Sequence, residues 1–265
     1  MRKSLVTIAV LGTLALPTAV FAADAAPAAA PAPAYTVSYN VGLYSQYIFR
    51  GLTQTDKKPA LQGGVDFAHS SGFYLGAWGS NISWLEDDGL YQNSSLELDL
   101  YGGYANTIGE TGIGYNVGLL QYVYPGAKAA DTGYDKAETT EAYAALTYKW
   151  AQAKISYGLT DIFGVQNSNG SYYAELNGNI PLGETGLTAI AHVGYQDFAG
   201  AGHNALSYTD WKLGLSKSFA SGVTVGAYYT GTDSNRDDDS AAGYVDASGT
   251  YLGKGAFTAY VSKAF

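Results

Sequence analysis

The stretch SSLELDLYGGY, residues 94–104, alternates leucines with acidic residues. Because successive side chains of an extended chain point to opposite faces, the three leucines share one face while Glu97 and Asp99 share the other. In a soluble sheet, a second layer of protein would have to cover the leucines. In a membrane barrel, the leucines could face lipid directly and the acids would face a wet lumen. This strand alone fits both arrangements, so the remainder of the chain has to distinguish them.

Eleven further segments repeat this alternation, and no convincing helical period occurs after Tyr35. The period of two residues predicts an all-β protein. The predicted strands are 35–50, 60–69, 73–82, 94–106, 113–124, 139–150, 153–162, 171–180, 187–198, 208–219, 223–232 and 256–265.

The connections between the predicted strands alternate in length. Every second connection is a short, Gly- or Ser-rich sequence of the kind that tight hairpins need, and Gly-Glu-Thr-Gly occurs twice, at 109–112 and 183–186. The other connections are mostly longer and more polar, up to residues 233–255. Short turns on one rim and long loops on the other are typical of outer-membrane barrels. A soluble sandwich has no reason to keep this alternation throughout.

The pattern therefore predicts a transmembrane, antiparallel, up-and-down β-barrel over residues 35–265, closed and with twelve strands. Closure leaves no unpaired strand edge, which a bilayer requires, and an even strand number places both termini in the periplasm. The alternative is a soluble fold whose strand aromatics pack in a core. In the barrel, aromatic residues near the strand ends form two interfacial girdles. They are Phe67, Phe73, Trp150, Phe219 and Phe265 at the short turns, and Phe49, Tyr172, Tyr195, Trp211 and Tyr229 at the long loops.

The composition agrees with a strand-rich membrane protein. Charged residues make up 14% of the 265 residues, against about 25% in soluble domains. Gly (34) and Tyr (24) are abundant, which favours strands and turns over helices. The absence of Cys excludes a disulfide framework and a thiolate metal site. A net charge of −9 argues against a nucleic-acid partner, because phosphates demand a basic surface.

Residues 1–22 are predicted to be a signal peptide for Sec export. Two cations precede an apolar run from Leu5 to Phe21, and the small Ala22 fits a cleavage site. Removing the two cations lowers the net charge from −9 to −11. The alternative is a membrane anchor, for which the run is short. Residues 23–34, nearly all Ala and Pro, are predicted to form an extended, flexible linker.

Two stretches carry a resemblance to a known family. YSQYIFRGLTQTDKKPALQGGVDF (44–67) and GFYLGAWGSNISW (72–84) resemble the N-terminal signature of the TorF-family porins, Gram-negative outer-membrane proteins of the Gcw_chp type. Beyond about residue 85 only the pattern is similar. The resemblance implies a channel in the cell outer membrane, and it implies no substrate or site residues. Phe265 also resembles the signal that the barrel-assembly machinery reads, which makes that machinery an expected partner, although Lys263 departs from the signal's apolar pattern.

Charged side chains on the polar faces are the candidate pore-lining residues. Rings of carboxylates raise the local concentration of cations, so an acidic outer mouth predicts a mild cation preference. Alternatively, the charges pair across the lumen and close it, since twelve strands make a narrower barrel than the roughly 16–18 of open porins. The candidates are Glu97, Asp99, Glu141, Glu175, Asp210 and Lys212 near the outer mouth, Arg50 at the outer end of the first strand, Asp66, Lys149 and Lys154 near the periplasmic mouth, and His192 facing inward.

The sequence is compatible with three functions. The first is a porin-like channel for passive diffusion of small solutes, and the second is a closed structural or surface-interaction barrel. The third, an outer-membrane enzyme that modifies lipids, is not expected, because it needs a nucleophile and a base together on the lipid face, whereas His192 points inward. No cofactor or metal is expected either, since the acidic segment 233–239 lacks the Gly and Glu of an EF-hand. The expected partners are outer-membrane lipid, lipopolysaccharide and small solutes.

Overall fold

Twelve long strands close into an antiparallel barrel in the computed structural model, which describes residues 33–236 and 243–265. Each long strand pairs with its neighbours in the chain, and the last pairs with the first, so the barrel has no free edge. The predicted closed, twelve-stranded, all-β fold is confirmed. The strands are β1 (Tyr35–Tyr44), β2 (Ile48–Phe49), β3 (Leu52–Thr53), β4 (Ala60–His69), β5 (Phe73–Asn81), β6 (Leu96–Thr107), β7 (Ile113–Val123), β8 (Thr139–Tyr148), β9 (Ala151–Gly158), β10 (Tyr172–Pro181), β11 (Leu187–Asp197), β12 (Tyr208–Ser218), β13 (Val223–Thr232) and β14 (Ala256–Ala264).

Among residues 33–236 and 243–265, helix occurs only in the connections between wall strands. The helix α1 (Trp84–Asp87) and the 3₁₀ turns Gly183–Thr185 and His203–Leu206 are all short. Within the described ranges, no helix is long and apolar enough to cross a membrane. The predicted signal peptide, most of the predicted linker and part of the last long loop lie outside the described residues.

The predicted first strand is wrong at its C-terminal end. β1 ends at Tyr44, and the chain then leaves the barrel wall. β2 and β3, which follow, pair with each other and with no wall strand. Apolar side chains continue as far as Phe49 without a regular alternation, and such a pattern indicates at most that a chain is extended and does not specify its pairing partner. The segment therefore looks like a continuation of β1 when it is read in sequence alone.

The leucines of the opening stretch lie on the outer surface of the barrel. Leu100 is 54% exposed, whereas Asp99 beside it is fully buried in the lumen. The same division holds on the other wall strands, each of which places exposed large apolar side chains on the outside. A soluble monomer does not expose an apolar surface of this extent. A bilayer can surround this surface, because every wall strand is paired and its backbone polar groups are therefore hydrogen-bonded. The molecule is a transmembrane barrel.

Tyrosine and glycine face each other on the inner surface. Five inward-pointing tyrosines lie opposite a glycine on the adjacent strand, and the missing Cβ of the glycine leaves room for the aromatic ring against the wall. This pairing uses the two residue types in which the chain is rich. The pairs are Tyr74 with Gly103, Tyr101 with Gly76, Tyr143 with Gly118, Tyr228 with Gly214 and Tyr260 with Gly226.

The outward positions of most predicted girdle aromatics are confirmed. Phe73, Trp150 and Phe265 are exposed near the short turns, and Trp211 and Tyr229 are exposed towards the long loops. Phe49 is the exception. Its ring lies inside the barrel, 5.8 Å from the ring of Tyr122 between centroids, because it belongs to the segment that leaves the wall after β1.

The long loops are joined to one another over one mouth of the barrel. Backbone hydrogen bonds run between loops that are far apart in the chain, so these loops form a folded cap. Examples are Ser83 N to Gln54 O (2.8 Å), Gln92 N to Ala127 O (2.8 Å), Asp135 N to Gly164 O (2.8 Å) and Thr53 N to Leu252 O (3.1 Å).

Candidate functional site in the barrel lumen

Residues 45–59, here called the plug segment, fold into the lumen from the end of β1. Tyr47, Ile48, Thr53 and Thr55 are all buried, although a surface loop of this length would expose most of its side chains. The segment holds its own shape through local hydrogen bonds. The hydroxyl of Thr55 accepts from the Tyr47 amide at 3.1 Å and donates to the Lys58 carbonyl at 2.7 Å.

The tip of the plug segment is the two-residue turn Arg50-Gly51 between β2 and β3. Both residues have positive φ, 44° and 80°, as a type I′ hairpin turn requires. Asn is favoured at the first position of such a turn, whereas a longer side chain there costs about 1–2 kcal/mol. Gly51 has no alternative, because an added Cβ would lie 2.6 Å from Cβ of Asp210 and against Thr232. The tip therefore packs directly on β12 and β13.

Arg50 reaches the far side of the lumen. β9 lies opposite β1 in the ring of twelve strands, and β8 and β10 flank β9. The Arg50 Nη2 atom donates to both carboxylate oxygens of Glu141 on β8, at 2.9 and 2.8 Å. Its Nη1 atom donates to Gln196 Oε1 on β11 at 2.7 Å. The guanidinium carbon lies 4.4 Å from the ring centroid of Tyr173 on β10, and only 6% of the Arg50 side chain is exposed.

The lumen is closed at the level of the plug segment. The Tyr47 hydroxyl donates to Glu97 Oε1 at 2.7 Å, and the Phe49 ring packs against the rings of Tyr122 and Phe163. Glu97 and Tyr122 both face the lumen and are at most 2% exposed. An open channel would leave these wall side chains in contact with water, so the plug segment and the wall together fill this half of the barrel.

The other half of the lumen, next to the short turns, is more open. Asp66, Asn116 and Gln152 face inward and are partly exposed. The Tyr101 hydroxyl donates to Asp66 Oδ1 at 2.5 Å. Tyr74 and Tyr143, whose hydroxyl groups are hydrogen-bonded to each other, are buried deeper. A polar vestibule thus opens towards the rim where the chain enters and leaves the barrel.

A second charged cluster lies on the wall from β9 to β12. Lys154 Nζ is 3.5 Å from Glu175 Oε1, and His192 Nε2 is 2.9 Å from Asp210 Oδ1. The Tyr173 hydroxyl donates to Asp210 Oδ2 at 2.7 Å. Every one of these groups has a partner on the wall itself. His192 is therefore a hydrogen-bonded lumen residue, as its inward parity indicates.

Most of the eleven candidate pore-lining residues face the lumen, with three differences in placement. Arg50 lies at the tip of the plug segment rather than on the first strand. Lys154 lies at the level of Glu175, its registered partner on β10, rather than at the mouth. Lys149 is an exposed residue of the tight turn after β8, with its Nζ 5.2 Å from the ring centroid of the outward-facing Tyr148. Lys149 is misplaced because β8 ends two residues before the predicted end.

Sequence reasoning missed several side chains that contact Arg50 or its partner Glu141. The alternation of the strands also places three uncharged side chains on the inner face, Tyr122, Tyr173 and Gln196. They could have been predicted as lumen residues if uncharged side chains had been counted as candidates. Phe163 follows no such pattern, because it lies in a loop. Within the part of the chain that the structure describes, no three His, Asp or Glu side chains are arranged to hold a metal ion.

No curated protein matches the sequence. Among solved structures, the barrel is similar to the KdgM porin, with a TM-score of 0.49, 8% identity and coverage of 86% of this chain and 98% of that one. It is also similar to OprD from Pseudomonas aeruginosa, with a TM-score of 0.42, 16% identity and coverage of 86% and 65%. A family model described as a bacterial protein of unknown function (Gcw_chp) matches residues 28–265, and the chain therefore belongs to that family.

Proposed function

We propose that this protein is an outer-membrane channel for small solutes whose path is the barrel lumen, and that the plug segment closes this path in the conformation described. The observation that carries the proposal is the row of ionisable side chains on the inner wall beneath an apolar outer surface. Burying charged groups costs free energy, so ionisable residues within a membrane protein usually mark a path for ions or solutes.

The orientation follows from the two rims. The chain enters and leaves at the rim of short turns, where the Ser70 amide bonds to the Ala34 carbonyl and the Phe265 amide to the Tyr39 carbonyl. Outer-membrane barrels place such turns in the periplasm and the long loops outside the cell. The capped, plugged half then faces the exterior and the polar vestibule faces the periplasm. A solute arriving from outside meets the cap first.

The charge balance supports a mild preference for cations. Among the residues that the structure describes, six carboxylates face the lumen against three basic side chains, and the basic side chains lie within or close to the carboxylate clusters. The excess negative charge raises the local concentration of cations once the path is open. The carboxylates are those of Asp66, Glu97, Asp99, Glu141, Glu175 and Asp210, and the cations are Arg50, Lys154 and Lys212.

A closed structural barrel is the second candidate function. The specific observation in its favour is the near-complete burial of Glu97, Asp99 and Glu141, which leaves water no route past them. In that case the plug segment would be a permanent part of the core. The enzyme alternative has less support, because the hydrogen-bonding groups around His192 are Tyr173, Asn177 and Asp210, and none is a serine, threonine or cysteine nucleophile.

Shortening the plug segment tests the channel directly. We expect replacement of residues 46–57 by a four-residue Gly-Ser linker to give larger and more frequent conductance steps in planar bilayers than the wild-type mature chain. The reason is that the charged wall would then enclose water instead of the plug segment. The slower migration of heat-denatured barrel on gels would show that the variant is folded.

The control is a replacement within another long loop. Replacing residues 200–205, in a loop on the same rim, by a Gly-Ser linker should leave the conductance at the wild-type level. If the folded plug-shortened variant conducts no better than lipid alone, the channel proposal fails and the closed barrel takes its place.

A further inference from the structure

The wall groups that hold Arg50 form a site that would exist without it. Gln196 Nε2 donates to the backbone carbonyls of Tyr172 and Asp197, both at 3.1 Å, which turns Oε1 towards the lumen as an acceptor. The Tyr173 ring is held by its hydroxyl bond to Asp210. Neither arrangement uses the plug segment. The acceptor and the ring are therefore preorganised by the barrel wall.

The site matches the chemistry of a guanidinium group. Both carboxylate oxygens of Glu141 accept hydrogen bonds from one guanidinium nitrogen, Nη2. The side-chain oxygen of Gln196 is a neutral acceptor for the other terminal nitrogen, Nη1. The Tyr173 face offers a cation–π surface at 4.4 Å, and the Phe163 ring lies at 5.8 Å. The site therefore uses the planar shape, the positive charge and several N–H donors of the guanidinium group together. A spherical ammonium group has the charge but not the planar arrangement of donors.

Arg50 occupies this site at a cost to the backbone. Its φ of 44° belongs to a turn position where Asn is favoured, and no other arginine occurs between residues 3 and 235. A residue that is unfavourable for its backbone conformation persists where its side chain is needed, so strain of this kind points to function. What is needed at this position is the guanidinium group itself.

We propose that Glu141, Gln196, Tyr173 and Phe163 form a guanidinium-binding site of the channel, and that the plug segment closes the lumen by placing its own Arg50 there. Guanidinium-bearing solutes that enter from the cap side compete with Arg50 for the site, and their binding releases the tip of the plug segment. This inference rests on the proposed channel and names the class of solute that the channel recognises.

Emptying the site tests its chemistry without reference to transport. In Arg50→Gly the turn remains compatible with positive φ, and the wall site is vacant. We expect calorimetry of the detergent-solubilised mature variant to show binding of methylguanidinium at least about tenfold tighter than of methylammonium, which has the charge without the planar shape, or of urea, which has the shape without the charge. The wild-type chain, with the site occupied, should bind methylguanidinium at least about tenfold more weakly than the variant.

A second substitution identifies the wall as the binding surface. Adding Glu141→Gln to Arg50→Gly should weaken methylguanidinium binding by about tenfold or more. Arg50→Asn, which also suits the turn, should behave like Arg50→Gly, so that a folding defect of one variant does not decide the result. Equal affinity for the three probes in both folded variants would overturn the guanidinium site.

Conductance separates this inference from the proposed function. In planar bilayers, methylguanidinium added on the cap side should block Arg50→Gly channels, whereas urea should not. Channels that conduct but are indifferent to methylguanidinium would leave the channel standing and remove the guanidinium site. Specific calorimetric binding by Arg50→Gly, together with no conductance from the folded plug-shortened variant, would leave the site standing and remove the channel.

Discussion

At the scale of single residues, the inner surface depends on where a Cβ is missing. The Tyr143 ring lies where the side chain of residue 118 would be, and the same holds for Tyr260 at Gly226. Such close packing of a ring on the backbone allows large aromatic residues inside a narrow barrel. Gly118 is therefore a packing requirement, although its backbone conformation is that of an ordinary strand residue.

Gly118→Ala should destabilise the barrel by about 1–3 kcal/mol, the usual cost of overpacking. The added Cβ would lie 2.6 Å from the carbonyl oxygen of Gly102 and against the Tyr143 hydroxyl. Gly114→Ala is the matched control, because Gly114 lies on the same strand and the same face but has no atom closer than 3.8 Å to its added Cβ. Urea unfolding from lipid vesicles measures both. Equal free energies of unfolding for the two variants would refute the packing role.

At the scale of elements, the cap contains the short helix α1, at whose C-terminal end lies the partly buried carboxyl group of Asp88. Asp88 ends α1 and is partly buried, and burial raises its pKa to about 7, helped by the negative charges of Asp246 and Asp87. The C-terminal end of a helix adds to the disfavour of a carboxylate. Nearby Tyr134 is neutral over the same range and does not offset the charge. The folded cap therefore binds a proton that the unfolded loop would release at a lower pH.

The sign of the pH dependence follows from this raised pKa. Stability from a protonated Asp88 is fully present below the ordinary pKa near 4 and is lost as the pH rises through about 7. We expect amide hydrogens of residues 84–91 to exchange several-fold faster at pH 8 than at pH 6, after correction for intrinsic rates. Asp88→Asn should remove the difference. A pH effect of the same size in the Asn variant would assign it to another group.

At the scale of the whole molecule, the barrel separates an apolar exterior from a charged interior, and the plug segment and cap decide whether the interior is continuous. The negative excess on the inner wall lies largely on β6 and β8, close to the tip and base of the plug segment. The same carboxylates that bury against the plug segment would line the path once it is displaced. In the proposed channel, closure and ion preference would thus depend on one set of side chains.

Ion preference should follow these carboxylates. In the plug-shortened background, the reversal potential in a KCl gradient should indicate a cation preference, and Glu97→Gln with Asp99→Asn should move the permeability ratio of K⁺ to Cl⁻ towards one. Glu110→Gln, in an exposed short turn at the other rim, should leave the ratio unchanged. An anion preference before substitution would contradict the electrostatic argument.

The amino-acid sequence by itself determined the number of wall strands, their approximate positions and the face that most of their side chains take. A period of two, which involves only neighbours in the chain, places Leu100 and Asp99 on opposite faces. The alternation of short and long connections, which follows from local turn residues, then predicts a membrane barrel with the leucine face outward. The path of residues 45–59 was decided only by the tertiary structure. Arg50 and Glu141 are 91 residues apart in the chain, and their contact depends on the width of the closed barrel and on the room left by glycines on the wall. A local sequence pattern contains no information about distances across the lumen. For this reason the sequence around Arg50 could not be distinguished from a continuation of the wall strand β1.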